Sequence, residues 1–391
     1  MTKDLFLSLI NSKTVFLDGA TGTQLQAHGM PFGQPTEEWV LQNPDVLKSI
    51  QSEYIAAGSD IIYAPTFSAN RVKLQNSPLG NNIYETNKQL VSLTKDICAN
   101  ALVAGDVSPI GKMLSMEMNM AECIDVYKEQ ITALCEAGVD LIVAETMIDI
   151  AEARAAVIAA RQVCDLPVIC TMVFDESMRC TGGTDALTAM VILQSEGVSA
   201  FGANCGTGPE TMLKLIDTIA SKASVPIIAK PNAGMPVIAA DGSVSYKMSA
   251  GEFAAHSKKL ADSGASILGG CCGTSPAHIR ELTKAVGTAK RPTQSTPLKA
   301  LASSLAYCEY SDDLTISEPL DISRDTTELT NAMFMFDESI DVIRLVCTGE
   351  CDVETVIPEL SLYTSKPFWF DISDESILSR AKTVYNGKGV W

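Results

Sequence analysis

Between residues 14 and 270 the chain alternates short apolar runs with longer stretches patterned at three- and four-residue spacing. The apolar runs TVFLD (14–18), DIIYA (60–64), ALVAGD (101–106), DLIVAE (140–145), PVICTMV (167–173), AFGANC (200–205), PIIAK (226–230) and SILGG (266–270) predict eight strands. Their near-continuous apolar character is that of parallel strands buried on both faces. Helical patterns such as DVLKSIQSEYIAAG, IAEARAAVIAARQVC and PETMLKLIDTIASKA fill the gaps. One phrase recurs: AAGSDIIYA, EAGVDLIVA, SEGVSAFGA and DSGASILGG each read as a helix tail, a glycine, a short bridge and a strand. Gly58, Gly138, Gly197 and Gly264 suit the left-handed residue that ends a helix.

Eight β-then-α units predict an α/β fold, a (β/α)8 TIM barrel of the usual size of ~250 residues. A doubly wound sheet is the competing arrangement, but TGTQLQ after the first strand is not its glycine fingerprint. The barrel reading locates the chemistry, because barrel sites sit at the carboxyl ends of the strands. Those ends read DGATGT, PTF, DVSP, ETM, NCGTGP, PNAG and GGCCGT, whereas the opposite loops, such as AAGSD and DLP, are bland. Residues 1–290 are therefore assigned to the barrel and 291–300, rich in Thr, Pro and Lys, to a linker. Residues 301–391 form a small C-terminal α/β appendage, with strands at IDVIRLVC and PFWFDI and helices at VETVIPELSLYT and DESILSRAKTVY.

Composition narrows the function classes. A net charge of −18 argues against nucleic acid and anionic membrane surfaces as partners. No apolar run approaches the ~20 residues of a membrane helix, and the first forty residues do not read as a signal peptide. Twelve scattered cysteines in a long chain fit a reducing cytoplasm better than a secreted disulfide framework. A homo-oligomer is left open.

Cys205 ends the sixth predicted strand, and Cys271 with Cys272 end the eighth. Barrel geometry brings these ends to one face. Three thiolates around a zinc ion with an open fourth position is a catalytic arrangement. The flanking Gly269, Gly270 and Gly273 permit the sharp turn that adjacent ligands need. The competing reading is three small buried residues among twelve. Cys347 and Cys351 have no second pair, and His28, His256 and His278 follow no ligand spacing.

The stretches DGATGTQL, AETM, NCGTGPE, PNAG and GGCCGTSPAHI, in this order, resemble the homocysteine S-methyltransferase family. The likeness is closest to the homocysteine-binding module of cobalamin-dependent methionine synthase and covers residues ~10–290. It implies a (β/α)8 fold, a Zn2+ site at Cys205, Cys271 and Cys272, and transfer of a methyl group to homocysteine (EC 2.1.1) in methionine biosynthesis. The homocysteine thiol would take the open zinc position, lose its proton, and attack the methyl group as a thiolate. Among the strand-end acids Asp18, Asp106 and Glu145, the resemblance assigns the substrate ammonium to Glu145. The amides of Gly19, Ala20 and Thr21, with the Thr66 hydroxyl, are expected to hold the substrate carboxylate. Asn232 in PNAG resembles a residue beside the metal.

AETM and PNAG resemble the corrinoid-linked branch, and the chain has no D-x-H-x-x-G cobalamin motif. The expected donor is thus methylcobalamin on a separate corrinoid protein. S-methylmethionine, betaine, another thiol acceptor and a non-catalytic subunit are the alternatives. Where the family often carries Asn-Thr-Phe after the second strand, this chain has Pro65-Thr66-Phe67. KPFWFDISDESILSRAKTVYNGKGVW resembles part of a folate-binding barrel, so the tail is expected to be a shortened remnant unable to bind folate. A truncated chain is the competing explanation.

Overall fold

The computed structural model describes residues 1–114, 116–206, 208–238, 244–289 and 298–391. Eight strands form one parallel sheet: β1 (Val15–Phe16), β2 (Ile61–Tyr63), β3 (Leu102–Val107), β4 (Leu141–Met147), β5 (Val168–Met172), β6 (Ala200–Asn204), β7 (Ile227–Lys230) and β8 (Ala265–Leu268). Their order is β1-β8-β7-β6-β5-β4-β3-β2. A parallel bridge between Leu17 and Ile61 joins the two ends into the predicted barrel. The recurrent glycines Gly58, Gly138, Gly197 and Gly264 all have positive φ, as the helix-end reading requires.

The barrel interior explains where the site lies. Strand side chains alternate with period two, so every second residue points inward. Val15, Leu17, Ile61, Tyr63, Ala104, Leu141, Val143, Ile169, Ala200, Ile228 and Ile267 form one buried cluster. Phe6 and Ile10 of the first helix (Lys3–Ser12) belong to it, so that helix plugs the amino-terminal end. Two residues further along β3, β4, β5 and β7 the inward positions are Asp106, Glu145, Thr171 and Lys230, all buried. The lining thus changes from apolar to ionisable just below the carboxyl-end mouth.

Two helices are buried on more than one face, the first of them apolar nearly all round. Helix Ala186–Ser195 (ALTAMVILQS) is one, and helix Ile150–Val163, with Ala153, Ala155, Ala156, Ala159 and Ala160 buried, is the other. What covers them begins where a linker was expected. Residues 291–297 of that expected linker lie outside the described residues, but Ala300 is already in a strand. β9 (Ala300–Ala302) pairs antiparallel with β10 (Tyr307–Glu309), and Ala300 and Ala302 pack into the main barrel core.

Beyond this hairpin the chain forms a three-stranded parallel sheet, β11 (Leu320–Asp321), β12 (Ile343–Val346) and β13 (Phe368–Phe370), with its own buried cluster. β12 and β13 match the expected tail strands; β9, β10 and β11 have no counterpart in the sequence reading. Arg154, 1% exposed, fastens this unit to the barrel. Its guanidinium pairs with Glu196 at 2.8 Å and donates to Asn386 Oδ1 (3.1 Å) and to the carbonyls of Lys382 (2.9 Å) and Thr383 (3.3 Å).

Candidate metal centre

The turn after β6 brings Cys205 to the mouth in a left-handed conformation, φ 56°, followed by Gly206 at φ 64°. Left-handed backbone at a non-glycine residue costs of order 1 kcal/mol and persists only where surroundings enforce it. Here the Cys205 amide donates to the Lys230 carbonyl at 3.3 Å. The turn after β8 is held in the same way from β7: Cys271 N donates to Pro231 O (2.8 Å), and Ala233 N to Cys272 O (2.9 Å). Gly273, at φ 80°, leaves no room for a side chain because Tyr246 packs directly against it.

These turns bring the three predicted thiols together. Cys205 Sγ lies 3.2 Å from Cys271 Sγ and 3.5 Å from Cys272 Sγ. All three sulfurs lie within 4.8 Å of one another, and the cysteines are free. A tetrahedral zinc with Zn–S near 2.3 Å needs sulfurs about 3.8 Å apart. The spacing and the soft thiolate donors therefore fit zinc with one position left over. Hydrogen bonds from Cys205 and Cys271 pull the Cys272 thiol down to about 3, whereas donation to Cys271 and Cys272 pushes Cys205 up. The Asn204 amide supports the centre, donating to Cys271 Sγ at 3.6 Å. It also fixes Thr146, another left-handed residue, through the Thr146 amide (3.0 Å) and hydroxyl (2.8 Å).

Below the thiols sits a charged layer that sequence reasoning recognised only in part. Glu145, Asp18 and Asp106 are buried there, and so is Lys230, which was not singled out. Lys230 Nζ lies 2.6 Å from Glu145 Oε1, 3.7 Å from Asp18 Oδ1 and 3.9 Å from the centre of the Tyr63 ring. Burial opposes its charge, but Glu145, Tyr63 and Asp18 more than offset this and hold the ammonium well above its usual range. Its inward register, two residues after Ile228, was the available signal. Tyr246 was also missed, and its place in a loop gave no signal.

The other expected contacts are partly committed elsewhere. The Thr66 hydroxyl donates to Asp106 O (2.9 Å) and accepts from Asp106 N (3.0 Å). The Ala20 amide donates to Thr274 Oγ1 at 3.0 Å. Gly19 is packed against Thr274 and Tyr54, and Thr21 opens the helix Thr21–Ala27. Asn232 is buried beside the Cys272 turn with Oδ1 lacking a hydrogen-bond partner. His278 caps its own helix through Ser275 and contacts Met248 O.

Burial pushes the Asp18 carboxyl up to about 6. The folded protein then holds a proton that the unfolded chain releases near pH 4. The stability contribution of this group therefore falls as pH rises from about 4 to 6, by about 3 kcal/mol for two pKa units. Asp18→Asn is expected to flatten this slope in urea unfolding of the metal-free protein at pH 4.5 and 6.5. An unchanged slope would assign it to Glu145 and Asp106, which burial also raises.

A parallel eight-stranded barrel with three converging thiols at its carboxyl-end mouth defines a barrel protein with a candidate three-cysteine metal centre. The chain belongs to the homocysteine S-methyltransferase family, whose sequence profile matches residues 15–286. It is 26% identical to the methionine synthase of Mycobacterium tuberculosis (strain ATCC 25618 / H37Rv) over 95% of this chain and 35% of that protein. The methionine synthase of Mycobacterium leprae (strain TN) is 25% identical over 98% of this chain and 36% of its own length. The chain thus spans about a third of the curated relatives it matches. In structure it resembles the metallated form of the homocysteine methyltransferase MmuM from Escherichia coli, with a TM-score of 0.62 and 21% identity, covering 71% of this chain and 98% of the other. That likeness concerns the fold. No helix among the described residues is long and apolar enough to cross a membrane.

Proposed function

We propose that this chain is a zinc-dependent S-methyltransferase that methylates homocysteine to methionine, with the methyl group delivered from a methylcorrinoid on a separate protein. The observation that carries the reading is the convergence of Cys205, Cys271 and Cys272 directly above a layer of buried carboxylates. When bound by these three residues, zinc supplies the Lewis acidity that keeps an acceptor thiol ionised near neutral pH. The chain's own groups do the rest. Asn204 orients Cys271, Tyr246 hydrogen-bonds Cys272, and the apolar barrel floor closes the site to water from below. The buried acids provide a receptor for the substrate's ammonium. The acceptor sulfur gains its bond to the methyl carbon as the donor's bond to that carbon breaks and keeps its electron pair.

The corrinoid donor is supported by the likeness of AETM and PNAG to the corrinoid-linked branch. A thiol-only metal site is stable in reducing surroundings, which supports a cytoplasmic location. The tail is read as a shortened folate-barrel remnant, supported by its parallel strand–helix order and by relatives whose match runs over 95% of the chain. The zinc-loaded protein is expected to release one proton per homocysteine bound at pH 7.5, read by calorimetry in buffers of different ionisation enthalpy. It should form methionine faster from methylcobalamin than from S-methylmethionine or betaine. Faster transfer from either of those two replaces the donor; homocysteine binding without proton release defeats the activated-thiol reading.

A further inference from the structure

Three carboxylates line the charged layer, and the structure treats them differently. Glu145 already has a cation: the Lys230 ammonium at 2.6 Å, only 3% exposed and drawn from the opposite side of the barrel lining. Asp18 is partly engaged: Oδ2 accepts from Tyr63 N at 2.9 Å, and Oδ1, which has no hydrogen bond, faces the Lys230 ammonium at 3.7 Å. Lys230 is itself fixed. Its ammonium stands over the Tyr63 ring, and its stem runs past Gly269, where an added Cβ would come within 3.4 Å of Lys230 Cγ.

Asp106 differs from both. It is 4% exposed, its backbone is clamped at N and O by the Thr66 hydroxyl, its Oδ1 has no hydrogen-bond partner, and unlike Asp18 and Glu145 it forms no ion pair among the described residues. The nearby cation Lys73 is spent on Ser108 Oγ at 2.9 Å and on the Phe67 ring. A buried carboxylate held rigidly and left unpaired is costly unless a cation completes it. A second unpartnered acceptor, Asn232 Oδ1, is buried at the end of the β7 segment. An ammonium group has three N–H donors and no acceptor, so it suits such oxygens.

We infer that Lys230 is a positioning residue that occupies Glu145 and Asp18, leaving Asp106 as the carboxylate that receives the α-ammonium of the acceptor amino acid. This rests on the proposed homocysteine reading and reassigns the ammonium contact within it. A substrate ammonium at Glu145 would have to share that carboxylate with Lys230 at close range, and like charges there repel.

The test measures binding to the zinc-loaded protein by calorimetry, using homocysteine and 4-sulfanylbutanoate, which keeps the thiol and carboxylate but lacks the amine. Asp106→Asn is expected to weaken homocysteine by about 100-fold, the worth of a charge-assisted hydrogen bond. It should leave 4-sulfanylbutanoate within about threefold, and Asp106→Glu should recover part of the loss. The double variant Lys230→Met/Glu145→Gln removes cation and carboxylate together. It should keep homocysteine within about tenfold of wild type, and its metal-free melting temperature should exceed that of Lys230→Met alone. Equal weakening of both ligands in Asp106→Asn overturns the assignment, as does a larger homocysteine loss in Glu145→Gln than in Asp106→Asn. A zinc-loaded wild type that binds no homocysteine defeats the functional reading and this inference with it. Normal wild-type binding alongside either of the two overturning patterns defeats this inference alone.

Discussion

Cys272→Ala is expected to abolish stoichiometric zinc and, with it, methyl transfer. The wild-type protein should hold one zinc per chain through three sulfurs that the β6 and β8 turns bring within 4.8 Å. Thiolate zinc sites are worth ~12 kcal/mol, so losing one sulfur of three should weaken the metal by about 4 kcal/mol, roughly a thousandfold. Competition with a chromophoric chelator reads the affinity, and elemental analysis after gel filtration reads the occupancy. Cys123→Ala is the control, since Cys123 is buried in the hydrophobic core and is not one of the three clustered thiols. It should lower stability through a small cavity yet keep its zinc. Full occupancy in Cys272→Ala would remove this residue from the ligand set. A chelator should lower the melting temperature of the wild type and leave Cys272→Ala unmoved, because only a protein that binds the metal gains stability from it.

The second large effect concerns Arg154. Its guanidinium joins Glu196 to Asn386 and to the carbonyls of Lys382 and Thr383 while almost wholly buried. Arg154→Ala leaves these acceptors without donors and Glu196 without its partner, a change that costs about 3–5 kcal/mol. The loss should be local before it is global. Hydrogen exchange at residues 375–391 is expected to rise sharply while the barrel strands stay protected and zinc is retained. Arg154→Lys keeps the charge but not the planar fork, so only part of the protection should return. Wild-type exchange around Lys382 and Thr383 in Arg154→Ala would show that other contacts carry the seam.

Much of the barrel could be read in the chain because parallel strands covered on both faces leave continuous apolar runs. Each run ends in the polar or glycine-rich stretch that forms the mouth. The convergence of Cys205 with Cys271 and Cys272 followed from topology alone. What stayed hidden has physical reasons. β9 is three residues, Ala300–Ala302, behind a Pro- and Thr-rich segment whose composition reads as linker; its role is to cover an apolar helix, which no local pattern reveals. β11 is two residues long, too short for periodicity. A lysine at the end of a strand usually faces water, so Lys230 passed as the last residue of PIIAK, although its spacing from Ile228 put it inside. Nor could the chain show that the Thr66 hydroxyl and the Ala20 amide, both expected to hold substrate, are bonded to Asp106 and Thr274.

The alternation along β7 has one more consequence. Lys230 points inward because Ile228 does, and Ile228 is fixed by pairing with Gly202 of β6 on one side and Ile267 of β8 on the other. A slip of one residue in that strand would turn the ammonium outward and Ala229 inward, making the cavity about one unit of charge more negative with no change in composition. The electrostatics of the mouth are therefore set by strand register. An insertion between helix Pro209–Ala220 and β7 is tolerable only if the connecting loop absorbs all of it.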